Sequence, residues 1–212
     1  MLPGLVLHPE VRELVPGAWL LRGFALPTAA GLETALARIA EAAPFRHLEI
    51  PGGLRMSVAS TNCGEWGWVS DRRGYRYSRD DPSTGRPWPA MPPDFRRLAG
   101  DAAAVAGFPQ FDPDACLVNE YQPRARMGLH QDKDERDFSQ PIVSVSLGLP
   151  ATFLLGGGAR RDKPLRIGLE HGDVVVFGGP ARLLYHGVAP VKPGCHPLIG
   201  ARRINLTFRR SA

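Results

Sequence analysis

Apolar positions along the chain follow two spacings, and each predicts a different kind of element. Between Pro27 and Pro44, Leu32, Leu36, Ile39 and Ala43 recur at helical spacing, with Thr28 placed to cap the N-terminus. A second helical stripe, Phe95, Leu98, Ala102 and Val105, follows Pro92-Pro93-Asp94, and Gly107 suits its end. From Ala115 onward the spacing shortens to two. ACLVNEYQ, PIVSVSLGL, ATFLL, DVVVFGG, RLLYHGV and RRINLTFRR read as short strands rich in β-branched and aliphatic residues. Such strands between turns argue for a β-rich α+β protein built on a two-sheet jelly roll, not for alternating βαβ units. Residues 51–91 are rich in Gly, Arg, Trp and Tyr, with turn signals at Asp81-Pro82 and Thr84-Gly85. They predict short hairpins or a surface lid.

Composition narrows the class without deciding it. The chain has 212 residues, 43% hydrophobic and 22% charged, which suits one globular domain with a sizeable core. A net charge of +5 favours an anionic partner such as nucleic acid. Three widely spaced cysteines without a CxxC pair fit reduced thiols in a cytoplasmic protein. The N-terminus carries no signal-peptide pattern, and no apolar run is long enough to cross a bilayer. The expected protein is a monomer with no membrane contact.

The chemistry is concentrated near the C-terminal end. In an extended segment, residues two apart point the same way, so His130 and Asp132 can face one ion while Gln131 turns aside. His186 in LLYHGV is the best third ligand, on the expectation that a strand pair joins it to the arginine-rich last strand. His171, which opens another strand, competes but reads as a turn residue. Two imidazoles and one carboxylate on one face suit non-haem Fe(II), although zinc takes similar ligands. In residues 202–209, Arg203, Asn205, Thr207 and Arg209 share one face, while Ile204, Leu206 and Phe208 share the other. Buried guanidiniums are strongly unfavourable without anions. Their Cα positions are roughly 20 Å apart, a span that lets inward-leaning arms hold opposite ends of a short diacid. Asn119 and Tyr121 share a face of their own strand and can add hydrogen bonds to it. The bland alternative is an edge strand with solvated arginines; the metal residues upstream favour the diacid. The Gly156-Gly157-Gly158 run precedes Arg160-Arg161 rather than a GK[ST] helix start, which fits a hairpin tip better than a phosphate cradle.

Several long segments resemble the AlkB family of Fe(II)- and 2-oxoglutarate-dependent dioxygenases that repair alkylated nucleic acid. They include NCGEWGWVSDRRGYRYS, PDACLVNEYQPRARMGLHQDKDE, PIVSVSLGLPATF, LEHGDVVVFGG and RRINLTFR, and they span about residues 51 to 210. The resemblance implies a double-stranded β-helix, iron on His130, Asp132 and His186, and 2-oxoglutarate contacted by Asn119, Tyr121, Arg203, Asn205 and Arg209. It places Trp68, Tyr75, Asp134 and Arg160 at substrate contacts, and O2 as the oxidant. Ile204 and Phe177 stand where larger aromatics are expected, and Ser60 at a lid position that is often apolar. The domain division it implies is an N-terminal helical or mixed extension (1–50), a nucleotide-recognition lid with its supporting helix (51–114) and a catalytic core (115–212). The implied activity removes alkyl groups from 1-methyladenine or 3-methylcytosine in single-stranded or flipped-base DNA, or RNA. A base inside a duplex is otherwise out of reach. Trp68 is expected to stack on the base opposite the His130 ring, with Asp134 and Glu135 favouring a cationic lesion. Arg72, Arg73, Arg76 and Arg160 are candidate phosphate contacts. Core aromatic packing is a plain alternative for Trp66, less so for Trp68, and DKDE reads equally well as a solvated acidic loop. The other readings are an oxygenase acting on protein or a small molecule, and a non-catalytic nucleic-acid-binding module.

Overall fold

In the computed structural model, residues 10–212 are described; the first nine residues of the expected N-terminal extension lie outside them. The elements in chain order are β1 (Val11–Val15), β2 (Ala18–Leu21), α1 (Ala29–Ala42), β3 (Arg46–Glu49), β4 (Arg55–Gly64), β5 (Gly67–Asp71), β6 (Gly74–Ser78) and α2 (Pro93–Val105). Then follow β7 (Ala115–Tyr121), β8 (Met127–His130), β9 (Ile142–Gly148), β10 (Ala151–Leu155), β11 (Leu165–Leu169), β12 (Val174–Phe177), β13 (His186–Val188) and β14 (Arg203–Arg209). Among the described residues, no helix is long and apolar enough to cross a membrane.

Two antiparallel sheets form the jelly roll. The larger runs β1-β2-β12-β9-β14-β7-β4-β3 and the smaller β11-β10-β13-β8. One face of the larger sheet is covered by the helices. Leu32, Leu36 and Ile39 of α1, with Phe95, Leu98 and Ala102 of α2, pack against Val118, Val145, Val176, Ile204, Leu206 and Phe208. The ring of Phe95 meets that of Phe208 edge-on at 6.0 Å. Ile204, Leu206 and Phe208 are fully buried, and each such side chain contributes roughly 1.5–3 kcal/mol of hydrophobic stabilisation. That burial fixes the register of β14 and turns its polar alternates toward the second sheet, because a slip of one residue would exchange the two faces.

Both helices fall where their stripes predict, with two local differences. Thr28 has φ −110° and ψ −2°, the end of a short 3-10 turn, so its hydroxyl donates to the Ala25 carbonyl instead of accepting from a helix N–H. Val105, at the last turn of α2, is exposed. Gly107 follows with φ +90°, the left-handed conformation that ends a helix at least cost in glycine.

The N-terminal segment is more integral than an extension. β2 pairs with β12 from Ala18↔Phe177 to Leu21↔Val174, as an interior strand. β4 is also sheet, paired with β7 from Ala59↔Glu120 to Gly64↔Ala115. Ser60 is therefore not on the lid: it is buried, opposite Asn119, and its hydroxyl donates to Asn119 Oδ1 at 2.8 Å. The hairpin proper is β5–β6, a separate two-stranded sheet. The glycine run 156–158 lies in the β10–β11 connection, as a hairpin tip should.

Candidate metal and dicarboxylate site

His130, Asp132 and His186 meet at one end of the smaller sheet, their donor atoms within 4.8 Å of one another. His130 ends β8 and lies directly across from His186, which begins β13. The expected route was different. His186 is not paired with the arginine strand; β13 pairs with β10 and β8, while β14 lies in the opposite sheet. The arginines reach the metal ligands across the space between sheets, which local sequence does not encode.

Backbone carbonyls set the state of both imidazoles. His130 Nδ1 lies 2.9 Å from the Gly128 carbonyl, and His186 Nδ1 lies 3.1 Å from that of Leu184. A carbonyl only accepts, so both Nδ1 atoms carry a proton and Nε2 is the atom each ring turns toward a metal. Those Nε2 atoms stand 3.6 and 3.8 Å from the Asp132 carboxylate. Burial, followed by the neighbouring His130, pushes His186 down to about 4, so it is a neutral ligand at physiological pH. Burial alone would raise Asp132, but the Arg209 guanidinium and then the two imidazoles hold it well below the ordinary carboxylate range. Arg209 Nη2 and Nε donate to Asp132 Oδ2 at 2.6 and 3.0 Å. An anionic carboxylate beside two imidazoles is the donor set that suits Fe(II).

The other end of the cavity is built by β14 and β7, where Arg203 faces Tyr121 and Asn205 faces Asn119 in register. Arg203 is 1% exposed, with its guanidinium 4.9 Å above the Tyr121 ring. Only Nη2 has a partner, donating to Ser146 Oγ at 3.0 Å; Nε and Nη1 are buried without one. Burial lowers its affinity for its proton. A buried cation with two idle N–H groups is the signature of a site made for an anion. Asn205 is already engaged: it donates to Ser144 Oγ and the Val145 carbonyl, and its Oδ1 accepts from Thr207. A cavity of about 720 Å³ connects Arg203 and Asn119 to His130, Asp132 and His186. Its length joins the two cationic ends, so a chelating keto-diacid fits the donors present.

The four expected substrate contacts, Trp68, Tyr75, Asp134 and Arg160, all line this same cavity. Trp68 and His130 line this cavity together. The Trp68 ring stacks on Tyr75 at 5.5 Å and 13°, and its Nε1 donates to Asp134 Oδ2 at 2.7 Å. His130 also neighbours the His186 ring at 4.4 Å. Glu135 is turned away from the cavity and buried, accepting from Tyr77 Oη and Arg182 Nη2. Arg72 and Arg76 are paired with Glu49 and Asp71, which leaves less of their charge for a phosphate. Trp66 is half-exposed beneath Arg79, not core. His171 is a turn residue as expected: it accepts from the Gly148 N–H and stacks on His196 at 4.1 Å.

Arg182 was missed. It is buried and donates to the carbonyls of Asp132 and Gln140 as well as to Glu135, which holds the backbone of the metal carboxylate in place. Nothing in the flanking ARLLY distinguishes it from a surface arginine. Ser144 and Ser146 did carry a signal, since they alternate with Val143 and Val145 in a strand that must pair with β14.

Comparison with known proteins agrees with this geometry. The model of the 2OG-Fe(II) oxygenase superfamily matches residues 17–209. The alpha-ketoglutarate-dependent dioxygenase AlkB of Salmonella typhimurium is 53% identical over 204 residues, 96% of this chain and 94% of that protein. The protein of the same name from Escherichia coli is 54% identical over the same shares. The solved structure of OsALKBH1 superposes with a TM-score of 0.85 at 31% identity, covering 95% of this chain and all of that one. With its sheets, its His-Asp-His cluster and these near full-length matches in agreement, the chain belongs to the AlkB family of the 2OG-Fe(II) oxygenase superfamily, dioxygenases that use Fe(II), 2-oxoglutarate and O2.

Proposed function

We propose that the protein is an oxidative dealkylase of N-alkylated nucleobases, acting on 1-methyladenine and 3-methylcytosine in DNA or RNA. It acts as a cytoplasmic monomer, on a single strand or on a base flipped from a duplex. The observation that carries the reading is one cavity holding the His130–Asp132–His186 donors, the idle Arg203 N–H groups and the Trp68–Tyr75–Asp134 wall together. Bound iron, 2-oxoglutarate and O2 supply the oxidation of an N-alkyl carbon, which leaves a methyl lesion as formaldehyde beside succinate and carbon dioxide.

The residues divide the remaining work. His130, Asp132 and His186 hold the metal. Arg203 receives the carboxylate far from the metal through Nε and Nη1, with Asn119 and Tyr121 on the neighbouring strand beside it. Arg209 keeps Asp132 ionised and oriented, and stands at the near carboxylate. Asn205 acts by orienting the wall. Trp68 and Tyr75 supply aromatic surface for the base, and the Asp134 carboxylate favours a ring made cationic by alkylation. Arg160 lies exposed on the same cavity, suited to the backbone phosphate. In functional terms, β5–β6 is the recognition hairpin of 51–114, a segment that also supplies α2 to the helical cover. Residues 115–212 form the catalytic core, and 1–50 complete the sheet and its helical cover.

The test is aerobic turnover of a single-stranded oligonucleotide carrying 1-methyladenine, with Fe(II) and 2-oxoglutarate. Formaldehyde and succinate should appear in equal amounts and depend on the methyl group. Succinate release that ignores the methylated oligonucleotide but rises with a methylated peptide would replace this reading with a protein substrate.

A further inference from the structure

Beside the catalytic cavity lies a second pocket of about 250 Å³, lined by Trp66, Tyr75, Arg76, Tyr77, Asp134 and Arg136, with Ser211 and Ala212 at its edge. It touches none of the metal ligands, yet Tyr75 and Asp134 line both spaces and so form a common wall. Trp68, stacked on Tyr75, lines the cavity alone. The aromatic surface of the hairpin is thus shared between a compartment that holds the metal and one that does not.

The chemistry of the pocket is selective. Trp66 is half-exposed and carries the Arg79 guanidinium 4.7 Å from its ring centroid. Arg76 is spoken for by both oxygens of Asp71. Arg79 and Arg136 are exposed and form no ion pair among the described residues. The Asp134 carboxylate is held by the Trp68 indole, and Glu135 behind Tyr77 is paired with Arg182. Stacking surface beside cations without acidic partners is how a protein receives one nucleotide of a single strand without reading its sequence.

We propose that this pocket binds the nucleotide next to the damaged one, its base against Trp66 and Tyr75 and its phosphate on Arg136 and Arg79. This deepens the reading above and rests on it. A strand whose damaged base enters the cavity continues past the Tyr75–Asp134 wall and places its neighbour in the pocket. Preference for substrates longer than one nucleotide is then a property of Trp66, Arg79 and Arg136, separate from the chemistry.

The experiment compares a 1-methyldeoxyadenosine mononucleotide with a trinucleotide centred on the same lesion, in wild type, Arg136→Ala and Trp66→Ala. A control, Arg38→Ala, removes an exposed charge from α1, on the far face of the larger sheet. Each pocket variant should lower kcat/KM for the trinucleotide by about ten-fold, within what a lost stacking face costs for Trp66→Ala and a lost charge-assisted contact for Arg136→Ala, and leave the mononucleotide unchanged. Equal losses on both substrates, or a trinucleotide rate like that of the control, would overturn the proposal. Anisotropy of a fluorescent, unmodified single-stranded oligonucleotide separates this claim from the proposed activity. If wild type demethylates neither substrate but Arg136→Ala still weakens binding about ten-fold relative to Arg38→Ala, the pocket stands and the dealkylase reading falls. Unchanged binding in Arg136→Ala removes the pocket whatever the activity.

Discussion

Replacing Arg203 by Leu separates a residue kept for stability from one kept for a ligand. Its guanidinium is 1% exposed, bonded only to Ser146, with Nε and Nη1 idle. Without ligand, the Ser146 hydroxyl and the Tyr121 ring offset only part of its desolvation cost, so Arg203→Leu should leave the ligand-free protein as stable as wild type or more so. With 2-oxoglutarate the sign reverses. Two charge-assisted hydrogen bonds at roughly 1.5–3 kcal/mol each are lost. Even the lower sum, about 3 kcal/mol, weakens cosubstrate binding more than about 100-fold. The assay is thermal unfolding with Mn(II) in place of iron, so that no turnover intrudes. In wild type, 2-oxoglutarate at about 100 times its Kd adds about 2.7 kcal/mol. For a chain of this size that is about 5–10 °C in Tm. In Arg203→Leu the increment should fall to about 0.4 kcal/mol or less at the same concentration. A variant that keeps the full increment would refute the assignment, and a ligand-free Tm far below wild type would show that Arg203 is held for stability.

Asp132→Ala should lose Mn(II) binding in a metal titration and also destabilise the protein by up to about 3 kcal/mol, because it leaves the buried Arg209 charge with only the longer 3.4 Å contact to Glu135. Adding Arg209→Met should recover stability in urea unfolding without recovering the metal; if stability stays low, the Arg209–Asp132 pair is not the cause. Trp68→Ala should raise KM for a methylated oligonucleotide by about ten-fold, the effect of roughly 1–3 kcal/mol per stacked base, while Mn(II) affinity stays unchanged; equal damage to both would make Trp68 a core residue. Burial, then His196, lowers the pKa of His171, whose Nδ1 accepts from the Gly148 N–H. The folded state therefore takes up this proton less readily than the unfolded chain. The stabilisation is present above the unfolded value of about 6.5 and is lost as pH falls below it through the lower folded-state value. His171→Gln should flatten that part of the stability–pH curve measured by urea unfolding, and an unchanged slope there would clear His171.

Patterns that depend on one strand or helix were legible. The face of β14 that carries Arg203, Asn205, Thr207 and Arg209 follows from alternation alone, since Ile204, Leu206 and Phe208 must go to the core. The His130–Asp132 pair is local in the same way. Relations between distant segments were not. β2 looked like part of a cover because four apolar residues fit a helix or a strand equally well, and its place beside β12 comes from pairing. β4 was hidden in a segment whose Gly and Arg content reads as loop, although seven of its ten residues pair in register with β3 or β7. Glu135 sits one residue from Asp134 in an acidic run, yet the backbone turns them apart, one into a buried ion pair and the other to the cavity rim.

Residue type and period by themselves determined which side chains can bind a metal or an anion, and which of their neighbours must be buried. Periodicity is a one-dimensional property, and burial acts on it directly. Only the tertiary structure decided what those side chains meet. The two sheets bring Arg209 onto Asp132, leave Arg203 with two idle N–H groups and make Tyr75 a wall between two pockets. Distances across the interior depend on how sheets stack and twist, and no single segment carries that information.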